Sequence, residues 1–159
     1  MQCSPYSNGY CVKNKNCYGK AKLERLHLSV FMRCSHCGVC CEKTEMLLSK
    51  ADIRFLEKAG HEKEEFVRFN RQGFAQLRNS RGHCVFYQFD KRRCRVYRYR
   101  PLGCRIYPVI YSEEDGVIVD DLCPQEETVS EKEIDSKAEK LMKLLRRIDG
   151  EAGKQKARA

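Results

Sequence analysis

The sequence predicts an α+β fold, a small single domain in which two β-hairpins and irregular cysteine loops are flanked by helices. Three observations support this fold class: eleven cysteines in 159 residues, two strand pairs around polar turns, and one long amphipathic helix near the end of the chain. A chain of this length has room for one modest core. We therefore expect the hairpins and loops to pack against the helices as one unit.

The composition, 42% hydrophobic and 33% charged residues, is typical of a soluble globular protein. No apolar run approaches the roughly 18 residues that a membrane-spanning helix needs. The first ten residues lack the basic start and the apolar stretch of a secretory signal. These features predict a cytoplasmic protein with no membrane partner.

The cysteines favour metal binding over disulfide bonds. Cytosolic thiols are normally kept reduced, so they more often serve as metal ligands there. The odd number of cysteines and the adjacent pair Cys40 and Cys41 also fit poorly with a disulfide framework, which we keep as the minor alternative.

Composition divides the chain into an N-terminal arm, a cysteine-cluster metal-binding domain, a C-terminal helix and a basic tail, with the bounds 1–22, 23–128, 129–150 and 151–159. The arm carries Cys3, Cys11 and Cys17, which lack an evident fourth partner, although His27 or His36 could supply an imidazole. Two interpretations of these three cysteines are open: they form an additional metal site, or they are exposed and their presence is fortuitous.

Two short helices are predicted between the first and second groups of cysteines. Ser49 and Asp52 form a pattern like a capping box, which begins a helix over 49–59. A second helix is predicted over 63–70, with acidic residues in its first turn. Before both, alternating apolar residues predict an extended segment over 26–32.

Two hairpins are predicted, the first pairing 84–87 with 94–97 and the second pairing 109–111 with 117–119. The first hairpin would bring Cys84 and Cys94 together. The second closes on Asp115-Gly116, a strong turn signal.

A long helix is predicted over 131–149, where apolar residues recur at helical spacing. Ser130 and Glu133 form a capping box at its start, and Gly150 is expected to end it. Residues 153–159 would then form a short basic tail that frays.

The first cysteine group is the run Cys34-Ser-His-Cys37-Gly-Val-Cys40-Cys41. A two-residue gap lets one loop turn two thiolates toward the same metal, as zinc knuckles and iron–sulfur loops both do. Gly38 can adopt a left-handed conformation that turns backbone N–H groups toward a sulfur. Because adjacent residues point in different directions, Cys40 and Cys41 would serve two centres or leave one thiol spare.

The second group is spread along the chain and needs tertiary folding to assemble; its members are Cys84, Cys94, Cys104 and Cys123. Nearby guanidinium and phenol groups could donate to a thiolate or a cluster sulfur. Arg100, Arg105 and Tyr107 are therefore candidate cofactor-binding residues.

Taken together, these residues resemble the CxxCxxCC family, a zinc- or iron-chelating domain. The resemblance covers roughly residues 30–125 and rests on the cluster at 34–41, Cys84, Cys94 to Tyr97, Arg100-Pro101, Cys104-Arg105, Tyr107-Pro108 and Cys123-Pro124. It implies that all eight of these cysteines are shared with the family. Arg98 departs from it, standing where an acidic residue is expected.

The number of cysteines does not decide between zinc and an iron–sulfur centre, because two zinc sites would use eight cysteines whereas one 4Fe-4S cluster would use four. The resemblance extends to flagellin lysine methylases, whose activity is associated with an iron–sulfur centre, and this implies iron. We therefore expect a 4Fe-4S centre with a redox, electron-transfer or group-transfer role and a protein redox partner. Catalytic residues and enzyme activity stay unassigned.

The alternative is a zinc-binding interaction module that contacts RNA or a ribonucleoprotein. Tyrosines and arginines alternate in one segment, Tyr87, Arg92, Arg93, Arg95, Tyr97, Arg98, Tyr99, Arg100, Arg105, Tyr107 and Tyr111. The same alternation is also expected of strands that do not bind RNA, with the tyrosines on a core face and the arginines on a solvated face. The net charge of +9 discriminates little, because metal-bound thiolates would offset much of it.

Overall fold

The computed structural model describes residues 32–156, with side chains given up to residue 153. It confirms the α+β class in one domain, built from four α-helices and four antiparallel hairpins within that range. The predicted arm, its three cysteines, His27 and most of the predicted segment 26–32 lie outside the described residues. The helices are α1 Lys50–Lys58, α2 Lys63–Phe66, α3 Leu102–Ile106 and α4 Glu131–Lys156.

The strands are short, and each pairs with its neighbour in sequence. They are β1 Val67–Phe69, β2 Ala75–Leu77, β3 Asn79–Ser80, β4 His83–Cys84, β5 Tyr87–Gln88, β6 Arg93–Cys94, β7 Val109–Ser112 and β8 Gly116–Val119. Single 3₁₀ turns lie at Val39–Cys41, Tyr97–Tyr99 and Glu126–Thr128. No helix among these residues combines the length and the apolar character needed to cross a membrane.

The predicted capping box at the start of α1 is confirmed. Ser49 Oγ accepts a hydrogen bond from the Asp52 N–H at 3.2 Å, and Asp52 Oδ2 accepts one from the Ser49 N–H at 3.1 Å. The same buried carboxylate also accepts, through Oδ1, the N–H of Leu102 at 2.7 Å. Asp52 therefore attaches α3 to the beginning of α1.

The helix predicted over 63–70 is wrong beyond Phe66. Its second half is strand β1, which pairs with β2 in the register Val67 with Leu77. The reason is the turn that follows, where Asn70 Oδ1 accepts the N–H groups of Gln72 and Phe74 at 3.0 and 2.9 Å. A hairpin closed by this side chain outweighs the local helical pattern.

The second predicted hairpin is confirmed as β7 and β8, closed at Gly116 with φ of +77°. The first hairpin is shorter than predicted, because β5 and β6 pair over only two residues, with Tyr87 opposite Cys94. Cys84 lies instead in β4, opposite Asn79. The two cysteines thus belong to different hairpins.

Helix α4 does not end at Gly150, as the sequence had predicted, but continues to Lys156. Tertiary contacts beyond the glycine explain the extension, since Ala152 is buried and Glu151 accepts the Lys50 N–H at 2.7 Å. Packing outweighs the modest helix-breaking tendency of one glycine.

Two apolar clusters form the core. The first joins α1 and α2 to the small hairpins through Leu56, Phe66, Leu77, Phe86 and Val96. The second holds α4 against α3 and the β7–β8 hairpin through Ile106, Val109, Leu141, Leu144 and Ile148.

Candidate metal centre

All eight cysteines of the predicted metal set line one cavity of about 130 Å³. Cys84 and Cys123 are buried, Cys40 is exposed, and the other five are partly buried. Every one of these eight is a free thiol. The structure thus brings Cys84 and Cys94 to the same cavity, as predicted, although the two residues lie in different hairpins.

The first cysteine group is shaped by Gly38. Its φ of +85° is left-handed, and its carbonyl accepts the Cys41 N–H at 2.9 Å, which forms the 3₁₀ turn. The ring of Tyr87 lies where a Cβ would be, since a Cβ built on Gly38 would be 2.7 Å from Tyr87 Oη. A glycine at this position therefore allows the loop to approach the hairpin that carries Cys94.

Three element types deliver the second group. Cys84 and Cys94 end the short strands β4 and β6, and Cys104 lies in α3. Cys123 follows β8 in a turn, where its N–H donates to the Asp120 carbonyl at 3.1 Å. Assembly of this group therefore depends on docking of α3 and of three hairpins, β3–β4, β5–β6 and β7–β8, as the spacing predicted.

Four thiols accept a hydrogen bond from the backbone N–H two residues further on, in the pairs Cys34 with His36, Cys84 with Phe86, Cys94 with Val96, and Cys123 with Gln125. The first of these has an N to Sγ distance of 3.4 Å. Such donors stabilise a thiolate and orient it toward a metal, and they tune the potential of a bound cluster.

Burial and mutual repulsion keep most of these thiols protonated in the metal-free protein. Burial, followed by the nearby Cys94 and Cys40, raises the pKa of Cys84 to about 11. Burial likewise raises the pKa values of Cys94, Cys104 and Cys123. A bound cation would reverse this balance, because it favours the thiolate at every ligand.

Cys40 and Cys41 differ sharply although they are adjacent. The Cys41 thiol donates a hydrogen bond to Cys40, which lowers the pKa of Cys40 to about 7 and raises that of Cys41. Cys40 is therefore the thiol of this pair that ionises first.

Arg100 is held rigidly at the cavity wall. Its Nε donates to the Tyr97 carbonyl at 3.0 Å, its Nη1 donates to the Cys104 carbonyl at 3.4 Å, and its guanidinium lies 3.7 Å above the Tyr97 ring. Its positive charge opposes the pKa increase that burial causes at Cys94 and Cys104. Arg100 thus favours thiolates in this cavity.

The other two predicted cofactor-binding residues, Arg105 and Tyr107, also line the cavity. The Tyr107 hydroxyl is hydrogen-bonded to Asp120, and burial is the main reason that its pKa is raised. Their contact with a bound metal or cluster stays a prediction. The ring of His36 packs against Tyr97, with centroids 4.4 Å apart.

Sequence reasoning missed the contribution of α4 to this site. Glu133 is 2% exposed, and its carboxylate accepts the Met32 N–H at 2.6 Å and the Lys137 ammonium at 2.7 Å. Lys137 lines the cavity and donates to the Tyr107 carbonyl at 3.2 Å. The Glu133-to-Lys137 spacing of one helical turn is the sequence signal for this pair.

The Ser130 side chain caps α4 by accepting the Glu133 N–H at 3.3 Å. In a full capping box the Glu133 carboxylate would turn back toward the Ser130 N–H. Here it accepts the Met32 N–H and pairs with the Lys137 ammonium instead. The predicted cap is thus present, and its acidic member has a tertiary role.

Among residues 32–156, no three cysteine, histidine or carboxylate side chains already converge into a metal coordination shell. The donor chemistry nevertheless fits a thiolate-bound centre: eight sulfurs, backbone N–H donors to four of them, and the Arg100 and Lys137 cations nearby. Soft thiolates select zinc, copper(I) or iron–sulfur clusters over hard cations.

Fold and site together define a small cysteine-cluster domain of the metal-chelating class. The chain belongs to the CxxCxxCC family, described as a "Putative zinc- or iron-chelating domain", whose model matches residues 33–137. The family predicted from the sequence and the choice of zinc or iron as its metal are thereby confirmed. The match extends past the predicted domain end into α4, as far as Lys137.

An uncharacterized protein of Methanocaldococcus jannaschii is 28% identical to this chain over 115 residues. The alignment covers 68% of this chain and 59% of that relative, so the chain matches somewhat less than two thirds of the relative's length. No solved structure matches this chain.

Proposed function

We propose that this protein holds a 4Fe-4S cluster in the cysteine cavity and that the cluster serves a redox, electron-transfer or group-transfer role. The observation that carries the proposal is that eight cysteine side chains line one cavity. Family membership makes metal chelation the general function, and the nature of the centre is what we add.

The size of the cavity favours a polynuclear centre. A structural zinc site packs four sulfurs at about 2.3 Å around one ion and leaves no further space. The cavity of about 130 Å³ is much larger than the roughly 10–15 Å³ that one water requires. An iron–sulfur cluster, with its inorganic sulfides, suits such a space better than a single ion does.

The surroundings of the cavity favour a redox role. A bound 4Fe-4S cluster supplies one-electron chemistry, with a potential set by hydrogen bonds to sulfur, local charge and exposure. Backbone N–H groups donate to four of the thiols, and Arg100 brings a positive charge to the wall. Exposed Cys40 marks the side at which a protein redox partner would exchange electrons.

Anaerobic purification tests the proposal directly. We expect a brown protein with iron and acid-labile sulfide in equal amounts, and an electron paramagnetic resonance signal after one-electron reduction. Cys94→Ser should lower both iron and sulfide, whereas Ser35→Ala, which removes a hydroxyl from the same cavity wall, should leave them unchanged. A colourless protein with stoichiometric zinc and no sulfide would refute the cluster.

That refuting outcome would favour a zinc-stabilised module that binds RNA. Eight thiols divide evenly into two zinc sites, and the β5–β6 turn exposes Arg92 and Arg93 beside Phe89, whose side chain is 51% exposed. Of the tyrosines predicted for base stacking, Tyr87, Tyr97 and Tyr107 line the cavity instead, which weakens this alternative.

Retention on RNA separates the two functions. An RNA-binding module should release RNA steeply as salt rises, and neutralising Arg92, Arg93 and Arg95 to glutamine should weaken retention further. Neutralising the exposed Lys140, Arg146 and Arg147 on α4 also removes three charges and is the matched control. Equal effects of both sets would indicate nonspecific attraction and remove this surface from consideration.

A further inference from the structure

We infer that the eight cysteines form two four-thiol centres whose membership does not follow chain order. The inner set is Cys41, Cys84, Cys94 and Cys104, and the outer set is Cys34, Cys37, Cys40 and Cys123. The inference rests on the proposed metal-binding role of the thiols and extends it from one centre to two.

Packing defines the inner set. Cys84 is a buried member of the first apolar cluster, and Cys41, Cys94 and Cys104 pack against that cluster. They come from a 3₁₀ turn, two strands and α3, so tertiary structure brings them together. None of the four outer cysteines contributes to this part of the described core.

Burial separates Cys123 from the inner set. Cys123 is buried, yet it belongs to neither of the two apolar clusters. It follows β8 in a turn and lines the same cavity as Cys34 and Cys37. Cys123, which belongs to the dispersed group in the sequence, is therefore assigned to the same centre as Cys34, Cys37 and Cys40. Cys41, which belongs to the local group, is assigned to the same centre as the dispersed cysteines.

Cys40 lies at the boundary, because it is adjacent in the chain to Cys41 of the inner set. Its exposure and its absence from the apolar cluster place it in the outer set. The adjacency of Cys40 and Cys41 then puts the two centres side by side.

Each set offers four sulfurs, the donor set of a zinc ion or an iron–sulfur cluster. The inner set is covered by apolar side chains, whereas the outer set includes the exposed Cys40. We therefore expect the outer centre to exchange or lose its metal first.

Thiol labelling of the intact holoprotein tests the grouping without any substitution. A chelator series followed by alkylation and peptide mass spectrometry should label the outer four cysteines together, while Cys41 stays protected with the inner set. Labelling of Cys41 in step with Cys40, or of all eight at once, would overturn the inference.

Metal counting in two pairs of variants provides the second test. Cys41→Ser should lose the same centre as Cys94→Ser, and Cys123→Ser the same centre as Cys37→Ser, with the other centre retained in each. Loss of one shared centre by Cys41→Ser and Cys37→Ser would contradict the grouping. A protein that binds only zinc would refute the proposed cluster, yet the pattern of loss would still test the two sets.

Discussion

At the scale of single residues, Gly38 connects the first cysteine loop to the rest of the site. Its left-handed backbone and its contact with Tyr87 leave no space for a side chain. We expect Gly38→Ala to destabilise the protein by more than the roughly 1–2 kcal/mol that a left-handed alanine costs, and to lower the metal content. Denaturant unfolding and elemental analysis measure the two effects.

Gly82→Ala is the matched control, because Gly82 also has a positive φ, +78°, but open space around its Cβ position. It should show the backbone penalty alone and keep its metal. Equal behaviour of the two variants would mean that the Tyr87 contact does not position the loop.

We expect Arg100 to influence the competition between metal and protons for the cavity thiols. Its charge favours the thiolates of Cys94 and Cys104, so Arg100→Gln raises their pKa values. Because a ligand must lose its proton to bind, metal release on acidification should begin at a higher pH, by up to about 1 pH unit. Metal retained across a pH series measures this shift.

Arg98→Gln is the control for lost charge, since Arg98 is exposed and does not line the cavity. Arg98 also stands where the family resemblance implies an acidic residue, so its own replacement should disturb no ligand. A shift as large in Arg98→Gln would show that net charge, rather than position, governs metal release.

At the scale of elements, the extension of α4 gives Gly150 a testable role. Gly150 is exposed within the helix and has nothing near its Cβ position. Gly150→Ala should therefore stabilise the protein by about 0.5–1 kcal/mol, because alanine loses less backbone entropy in a helix. Urea unfolding provides the measurement.

Gly60→Ala should have the opposite sign. Its surroundings are equally open, but its φ of +88° disfavours any side chain. Destabilisation by Gly150→Ala would place the helix end where the sequence pattern had predicted it.

The elements that the sequence predicted well are those with local signals. Ser49 and Asp52 specify the start of α1, and Asp115-Gly116 specifies the β7–β8 turn, through contacts within a few residues. The errors at Phe66 and Gly150 have tertiary causes. Pairing with β2 converts the end of the second predicted helix into a strand, and burial of Ala152 carries α4 past its glycine.

The candidate site shows the same division. Cysteine spacing was sufficient to predict the eight residues that the structure places on one cavity wall. It could not predict that the charges of Cys37 and Cys34 act on Cys123, because that effect depends on how the β7–β8 hairpin docks. Nor could it reveal Lys137, whose position depends on α4.

At the scale of the whole molecule, stability should depend on pH in opposite ways with and without metal. Burial raises the pKa of Cys84 to about 11, against 9.0 for an unperturbed thiol. The unfolded chain therefore ionises first, and the metal-free protein should lose stability as pH rises from about 9 to about 11. The metal-bound protein should instead lose stability on acidification, as protons displace the metal.

The unfolding midpoints of the metal-free and metal-bound forms, measured at a series of pH values from about 5 to about 11, would test these trends. Cys84→Ser should flatten the alkaline loss in the metal-free form, because serine does not titrate there. An unchanged alkaline loss in that variant would assign the effect to the other buried thiols.

The contact between Glu133 and Met32 also bears on biosynthesis. The two residues are 101 positions apart, and Met32 lies two residues before Cys34, where the first cysteine run begins. Because translation proceeds from the N-terminus, the thiols of that run leave the ribosome well before the helix that fixes them. We therefore expect the cavity to be fully enclosed only after synthesis of α4, and until then the nascent chain carries thiols without their final surroundings.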